Sequence, residues 1–534
     1  MNKNLLDKIH KMSPFETKDL LIDVAQKSFK KNKDKTKKYI NAGRGNPNFF
    51  NTTARKAFTH FMHFAVDLAE SSSDFKEIAF RCQKDGLYSK YLKFIKKAEK
   101  NPSLIFLDKA INWAIKNFKY NKDEFMFELV DAVIGDFYPM PYRILPCIEK
   151  IVIEYLFDIL AFEKKDVNKY EIFATEGATA GMIYIFNSLK YNKLINPKDK
   201  IGIITPIFTP YLEIPELFEF QLKEIFIETK QEDKWEISDE ELEKIKDPNM
   251  KAIFMVNPAN PASVSFTEKT IDKVVNLIKK HRKDLIVIID SVYANFIYDF
   301  KCLEEKISEN IISVYSFSKY FGATGWRLGV IMLDKDNIFD KMLKKLPKSD
   351  LEEIDKRYIT ITPKPRDIKF IDRLAIDSRD SALAHTSGLS CPQQVMMSFF
   401  CLFELLDKKK FYKNELTDLL RKRSSNLYNN LGYKSLDVQN TSHYYALIDM
   451  VDVARSKYNA SFAKWFEKNV DMIEFLFKLA KEKFVVALPG EGFHAAKSSL
   501  RISLANIETE DYIEIGIAIK ELVHQYYERF KKSK

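Results

Sequence analysis

The sequence predicts an α/β protein: a large domain whose mostly parallel sheet is flanked by helices, a smaller α/β domain, and extra helical insertions. Three observations carry this expectation. Between Tyr170 and Leu333, short β-branched runs alternate with helical stretches, the pattern of parallel strands joined by crossovers. Residues suited to chemistry fall just after those runs, where open α/β sheets bind ligands. Beyond Phe411 a shorter set of helix and strand patterns follows.

Taken in order, Ser13-Pro14-Phe15-Glu16 is a capping box with proline at the first helical position, so a helix starts there and ends near the lysine cluster Lys30 to Lys38. The breaker-rich loop Asn41 to Asn48 holds Arg44 between Gly43 and Gly45, where the backbone can approach a ligand closely. Residues 55–133 read as helical, and Gly135 to Tyr142 then presents Tyr138 and Tyr142 on a stiff turn. Strands are expected at Glu171–Ala174, Ile201–Thr205, Ala252–Val256, Leu285–Asp290, Ile311–Ser316 and Leu328–Leu333. The charged stretch 336–385 reads as an irregular insertion and Cys391–Leu406 as a helix suited to an interface, its apolar run Val395 to Phe403 reading as buried. A helix at Phe411–Leu431 and strands near His443–Ile448, Phe484–Leu488 and Leu500–Leu504 complete the chain. The expected division is an N-terminal arm with part of the small domain over 1–55, a large domain over 56–405 with helical insertions near 60–130 and 336–385, and a C-terminal small domain over 406–534.

Composition narrows the function. With 534 residues, 46% hydrophobic and 30% charged, the chain has an ordinary globular make-up. Its net charge of +10 is interleaved with acids and shows no basic–aromatic groove, so no nucleic-acid partner is expected. No apolar run approaches the ~20 residues that cross a bilayer. Five cysteines without metal-like spacing, and a first segment in which Leu5-Leu6 is followed at once by Asp7 and Lys8, lead us to expect a reducing, cytoplasmic setting and no metal.

The chemistry centres on Ser316 to Gly329, which follows the apolar run Ile311 to Tyr315. Lys319 in a dry pocket can lose its proton and form a Schiff base, while Ser316, Ser318 and Arg327 suit a phosphate. Taken alone, this stretch reads more readily as a solvated loop; its partners reverse that. Gly177, Ala178 and Thr179 open a helix after a strand, so free N–H groups and the helix dipole face an anion. Phe208 sits between two prolines, placed to stack on a flat ring. Asn257-Pro258-Ala259-Asn260-Pro261 offers two fixed amides, and Asp290 with Tyr293 follows a strong apolar run. A buried Asp290 calls for a cationic partner, and Arg501 inside an apolar strand calls for a carboxylate. Together they make the arrangement that a pyridoxal phosphate enzyme needs.

These motifs resemble those of the fold-type I aminotransferases, from about Asn41 to Asn506. The resemblance implies pyridoxal 5'-phosphate on Lys319, its phosphate held by Gly177, Ala178, Thr179, Ser316, Ser318 and Arg327. It implies Asp290 at the pyridine nitrogen, Tyr293 and Asn260 at the phenolic oxygen, and Phe208 in place of the stacking tryptophan or tyrosine. Arg501 would grip the substrate's α-carboxylate, and Tyr138 would reach the partner subunit's phosphate. The phrases SFSKYFGATGWRLGV and NAGRGNPN, and the chain's length, are most similar to a larger bacterial branch that removes the β-carboxylate of L-aspartate and also transaminates it. There Arg44 would meet the second carboxylate, with Gly43 and Lys18 beside it. Ala262-Ser263 departs from the Thr-Gly that most relatives carry after the second Asn-Pro. The implied partners are L-aspartate, 2-oxo acids and a second copy in a homodimer with shared sites, which larger assemblies would build on. The alternatives are a pure aspartate or aromatic aminotransferase, and a cofactor-sensing regulator. The latter lacks a recognisable helix-turn-helix segment in residues 1–40.

Overall fold

The computed structural model describes residues 6, 8–10, 12–96, 101–217, 220–379, 388–434 and 439–533. Its centre is a seven-stranded sheet of β1 (Tyr170–Thr175), β2 (Lys200–Thr205), β3 (Lys223–Glu228), β4 (Met250–Val256), β5 (Ile286–Asp290), β6 (Ile311–Ser316) and β7 (Gly329–Asp334). The spatial order is β1-β7-β6-β5-β4-β2-β3, with β7 antiparallel to both its neighbours and the other pairs parallel. Both faces are covered, which is why the central strands read as unbroken apolar runs. In β5, Ile286 and Ile288 enter one core while Val287 and Ile289 enter a second on the opposite face. Thr175, Thr205, Val256, Asp290 and Ser316 therefore end on one edge of the sheet.

Every strand expected in the large sheet is present within two residues at each end, and β3 is an addition. β3 escaped the pattern because Lys-Glu-Ile-Phe-Ile-Glu lies at the sheet edge, half-exposed and charged at both ends.

The helix α1 (Pro14–Lys31) begins where the Ser13 cap predicts, the Ser13 hydroxyl accepting from Glu16 N–H at 3.5 Å. The expected helical region holds α2 (Thr53–Glu70), α3 (Leu87–Lys96), α4 (Pro102–Phe118) and α5 (Lys122–Ile134), but residues 71–86 within it are turns and irregular chain, not helix. With α6 (Pro146–Ile159), three of these (α2, α4 and α5) pack on α8 (Cys391–Leu406), while α3 rests on α5; α7 (Ala178–Tyr191) lies on the sheet. The stretch after Asp334 is not the irregular insertion its charge suggests. Ile338–Leu343, Lys348–Tyr358 and Phe370–Asp377 are helices that expose most of their charge, bury Phe339, Tyr358, Phe370 and Leu374, and take Arg373 and Asp377 inside with them. The expectation for 380–385 lies outside the described residues.

The second unit is a three-stranded antiparallel sheet of β8 (Tyr445–Asp449), β9 (Leu488–Pro489) and β10 (Ser499–Ser503), in the order β9-β10-β8. Helices α9 (Phe411–Leu431) and α10 (Asp511–Ser533) pack on each other beside it. The N-terminal chain joins this unit too: Ile40–Asn41 pairs in parallel with Val485–Val486, and α1 packs on Met472–Lys483. All five cysteines are free thiols. Among the described residues no helix is long and apolar enough to cross a membrane, and no group of His, Cys, Asp or Glu could hold a metal ion.

Candidate active site

A cavity of about 290 Å³ opens at the carboxyl edge of the large sheet, where the small sheet and the start of α1 meet it. Of the residues singled out from sequence, Ala178, Thr179, Phe208, Asn260, Asp290, Tyr293, Ser316, Ser318, Lys319, Arg327 and Arg501 line it.

At its floor Asp290 ends β5, 3% exposed. Its Oδ2 accepts from Tyr211 Oη at 2.7 Å and its Oδ1 from Val292 N–H at 3.0 Å. Burial pushes the carboxyl up to about 6, against those two bonds and the nearby Lys319 charge. Its bonded partners are thus a phenol and a backbone N–H instead of the expected cation.

One wall is an anion cradle. Ser316 Oγ donates to Ser318 Oγ at 2.9 Å, and Arg327 spans the loop with Nη1 on Thr324 O at 2.7 Å and Nη2 on Glu176 O at 3.1 Å. Gly177 caps α7 at φ 94°, and a side-chain carbon there would collide with the Arg327 guanidinium. Only glycine brings the helix N-terminus and the arginine together in this way.

Lys319 Nζ donates to Gly45 O at 3.1 Å, an acceptor it shares with Tyr444 Oη at 3.0 Å. Tyr293 Oη donates to Tyr445 Oη at 3.1 Å, and burial raises the Tyr293 phenol well above its usual value.

Arg501 comes from the middle of β10 and is 1% exposed. Its Nη1 donates to Asn260 Oδ1 at 3.3 Å and its Nη2 to Gly43 O at 3.1 Å, while Nε has no partner. The guanidinium lies between the rings of Tyr445 and Phe493, 4.4 and 4.6 Å from their centroids. Among the described residues no carboxylate is bonded to it, which leaves the guanidinium open to an anion in the cavity.

The remaining sequence candidates stand further out. Gly43 touches the site through its carbonyl, and a side-chain carbon on it would stand 3.2 Å from Lys18 Cγ. Lys18 is therefore near the mouth, its Nζ 3.3 Å from Asp19 and 5.7 Å from the Phe15 ring. Arg44 is exposed and does not line the cavity. Tyr138 is 62% exposed and lines a separate groove with Gly388 and Pro392.

The structure adds residues that sequence reading missed: Tyr211 on Asp290, Tyr445 between Tyr293 and Arg501, and Phe15, whose ring meets Phe208 edge-on at 5.9 Å. Tyr211 lies three residues past Phe208, a signal too common among packing tyrosines to be read alone.

Residues 137–516 match the family model of aminotransferase class I and II. The chain is 41% identical, over 97% of both chains, to a Pseudomonas protein named bifunctional aspartate aminotransferase and L-aspartate beta-decarboxylase. It is 26% identical to an aspartate aminotransferase of Sulfolobus acidocaldarius, over 67% of this chain and 76% of that one. Its fold is similar to that of an aspartate aminotransferase from Thermus thermophilus, with a TM-score of 0.60 at 15% identity over 95% and 96% of the two chains.

Proposed function

The chain belongs to the class I and II aminotransferase family, and from that premise we propose that it uses pyridoxal 5'-phosphate to convert L-aspartate into L-alanine and CO2, with aspartate aminotransferase activity beside it. The observation that carries the reading is Arg501, a buried guanidinium with an unpaired N–H, opening on the same cavity as Lys319 and Asp290. Such a cation is costly until an anion arrives, and a carboxylate matches its planar donors.

The residues present fit the cofactor. The cradle of Ser316, Ser318, Arg327 and the α7 N-terminus suits its phosphate, and Gly177 leaves no side chain to fill it. Asp290 offers a buried acid for the ring nitrogen, Phe208 an apolar face, and Tyr293 with Asn260 groups for the ring oxygen. When bound, pyridoxal phosphate supplies an electron sink for the bonds broken at the substrate's Cα and Cβ.

The chain's own residues do the rest. Asp290 keeps a proton on the ring nitrogen, its charge supported by Tyr211 and the Val292 N–H. Lys319 Nζ would be the attachment point for the cofactor, and as a free amine it would move the Cα proton. Arg501 orients the α-carboxylate. Lys18 and Arg44 supply positive charge at the mouth for the side-chain carboxylate. Phe15 against Phe208 keeps water from that end while CO2 leaves. We place Tyr138 at the partner subunit's phosphate in a homodimer, and the enzyme in the cytoplasm. Sustained release of alanine and CO2 from L-aspartate without added keto acid tests the reading.

A further inference from the structure

Besides Arg501, the small sheet sends Tyr445 into the cavity. Its ring lies 4.4 Å from the Arg501 guanidinium, and its hydroxyl meets Tyr293 Oη at 3.1 Å. An unusual backbone holds it there. Tyr445 N–H donates to Ser263 Oγ at 2.8 Å, and Ser263, 1% exposed, has φ 63°. Glycine takes that conformation freely and serine does not, so the strain persists because the serine is held on several sides. Its carbonyl accepts from Ser442 N–H at 2.7 Å, and its own N–H donates to Ala259 O at 2.8 Å. Ser263 thereby ties the loop of Asn260 to the strand of Tyr445. Gly45 completes the seat, since a side-chain carbon there would stand 2.8 Å from Tyr445 Oη.

We propose that Tyr445 is a positioning residue: its hydroxyl sets how strongly Tyr293 donates to the cofactor, its ring sets the plane of Arg501, and Ser263 anchors both functions. This rests on the cofactor reading given above. As the pair stands, Tyr293 donates to Tyr445. Facing an anionic ring oxygen, Tyr293 turns its proton outward and Tyr445 donates behind it, because hydroxyls rotate to suit their acceptors. Chained donors polarise one another, so Tyr293 then bonds the anion more strongly. That bond favours the form in which the Lys319 nitrogen has lost its proton. The other groups facing the pair are Arg501 from the small sheet and Tyr444 just before it, with Lys319 Nζ 6.0 Å from the centre of the Tyr444 ring.

The test is a pH titration of the holoenzyme's visible absorbance. Tyr445→Phe should move the midpoint upward by about 0.4 pH unit, roughly 2.5-fold in proton affinity. Its KM for aspartate should change by less than about twofold, because the ring stays under Arg501. Tyr445→Leu, which removes the ring, should raise that KM severalfold. Ser263→Gly relieves the strained φ, so it should fold, and its midpoint should move in the same direction by less. An unmoved midpoint in Tyr445→Phe overturns the proposal; should that variant not fold, an unmoved midpoint in Ser263→Gly does so. If the unaltered enzyme bound with pyridoxal phosphate shows no pH-dependent band, the cofactor reading itself falls.

Discussion

Tyr211 Oη donates to Asp290 Oδ2 at 2.7 Å, which limits how far burial can push that carboxyl above its usual value. Even so it stands at about 6 against an ordinary 3.8. The folded protein therefore binds this proton more tightly than the unfolded chain does. Stability from this group is greatest below pH 4 and falls as pH rises through about 6, by on the order of 3 kcal/mol. In the cofactor-free protein, Asp290→Asn should remove that dependence. Urea unfolding should show the variant more stable than the parent at pH 7.5, with the advantage gone by pH 4. A difference that does not vary with pH would count against a buried, strained carboxylate.

Gly177→Ala should cost cofactor binding more than fold. At φ 94° and ψ 168° the backbone sits where only glycine rests easily, and the added carbon meets the Arg327 guanidinium. A penalty of about 1–3 kcal/mol corresponds to roughly 5- to 150-fold weaker pyridoxal phosphate binding. Fluorescence titration of the cofactor-free protein measures it, and unchanged affinity would take Gly177 out of the cradle.

How much of this was legible beforehand depended on whether a residue's role is local. Strands β4, β5 and β6 announce themselves because both faces are buried, and Lys319, Arg327 and Asp290 follow from their place at strand ends. Tyr445 could not be read that way. Arg501 pairs with Leu447, and Tyr445, two residues before Leu447, shares a face with Arg501 only through that register. The seat of Tyr445 also needs Gly45 and Ser263, far apart in sequence. The helices after Asp334 were hidden differently: their inner faces carry few apolar residues among many charges, and the buried Asp377 is matched by Ser188, Arg357 and Tyr358, none of them its sequence neighbours.

Lys319 should be the residue that carries the cofactor. It is a lysine lining the cavity, opposite Asp290 and beside Ser318. Borohydride reduction of the holoenzyme followed by peptide mapping should place the pyridoxyl group on Lys319, and Lys319→Ala should abolish the label. A pyridoxyl group on another lysine would break the assignment at its root.

The two ends of aspartate should respond to different cations. Removing one partner of a buried pair costs about 3–5 kcal/mol, so Arg501→Ala should lower kcat/KM by roughly two to four orders of magnitude for every amino-acid substrate. Lys18→Ala and Arg44→Ala should harm aspartate and spare alanine, and by less, because Arg44 is exposed and Lys18 only part-buried, whereas Arg501 is fully buried. Comparing kcat/KM for the two amino acids in all three variants decides this. Equal losses on aspartate and alanine would remove Lys18 or Arg44 from the side-chain carboxylate.

The reaction itself separates this enzyme from an enlarged aminotransferase. Given L-aspartate and pyridoxal phosphate but no keto acid, it should release CO2 and alanine over many turnovers. A simple aminotransferase cannot, because one half-reaction leaves its cofactor as the amine and consumes no further substrate. Loss of the β-carboxylate needs that group held away from water until CO2 departs, and the apolar pair of Phe15 and Phe208 lines the cavity near Lys18, the cation assigned to that carboxylate. Phe15→Ala should therefore shift the balance from alanine toward oxaloacetate, since admitted water competes with decarboxylation. A little pyruvate should rescue enzyme that has slipped into the amine form. Carbon-13-labelled aspartate followed by NMR reads both products at once. At most one equivalent of oxaloacetate per site, with no labelled alanine, would make the protein an aspartate aminotransferase with the same cofactor residues.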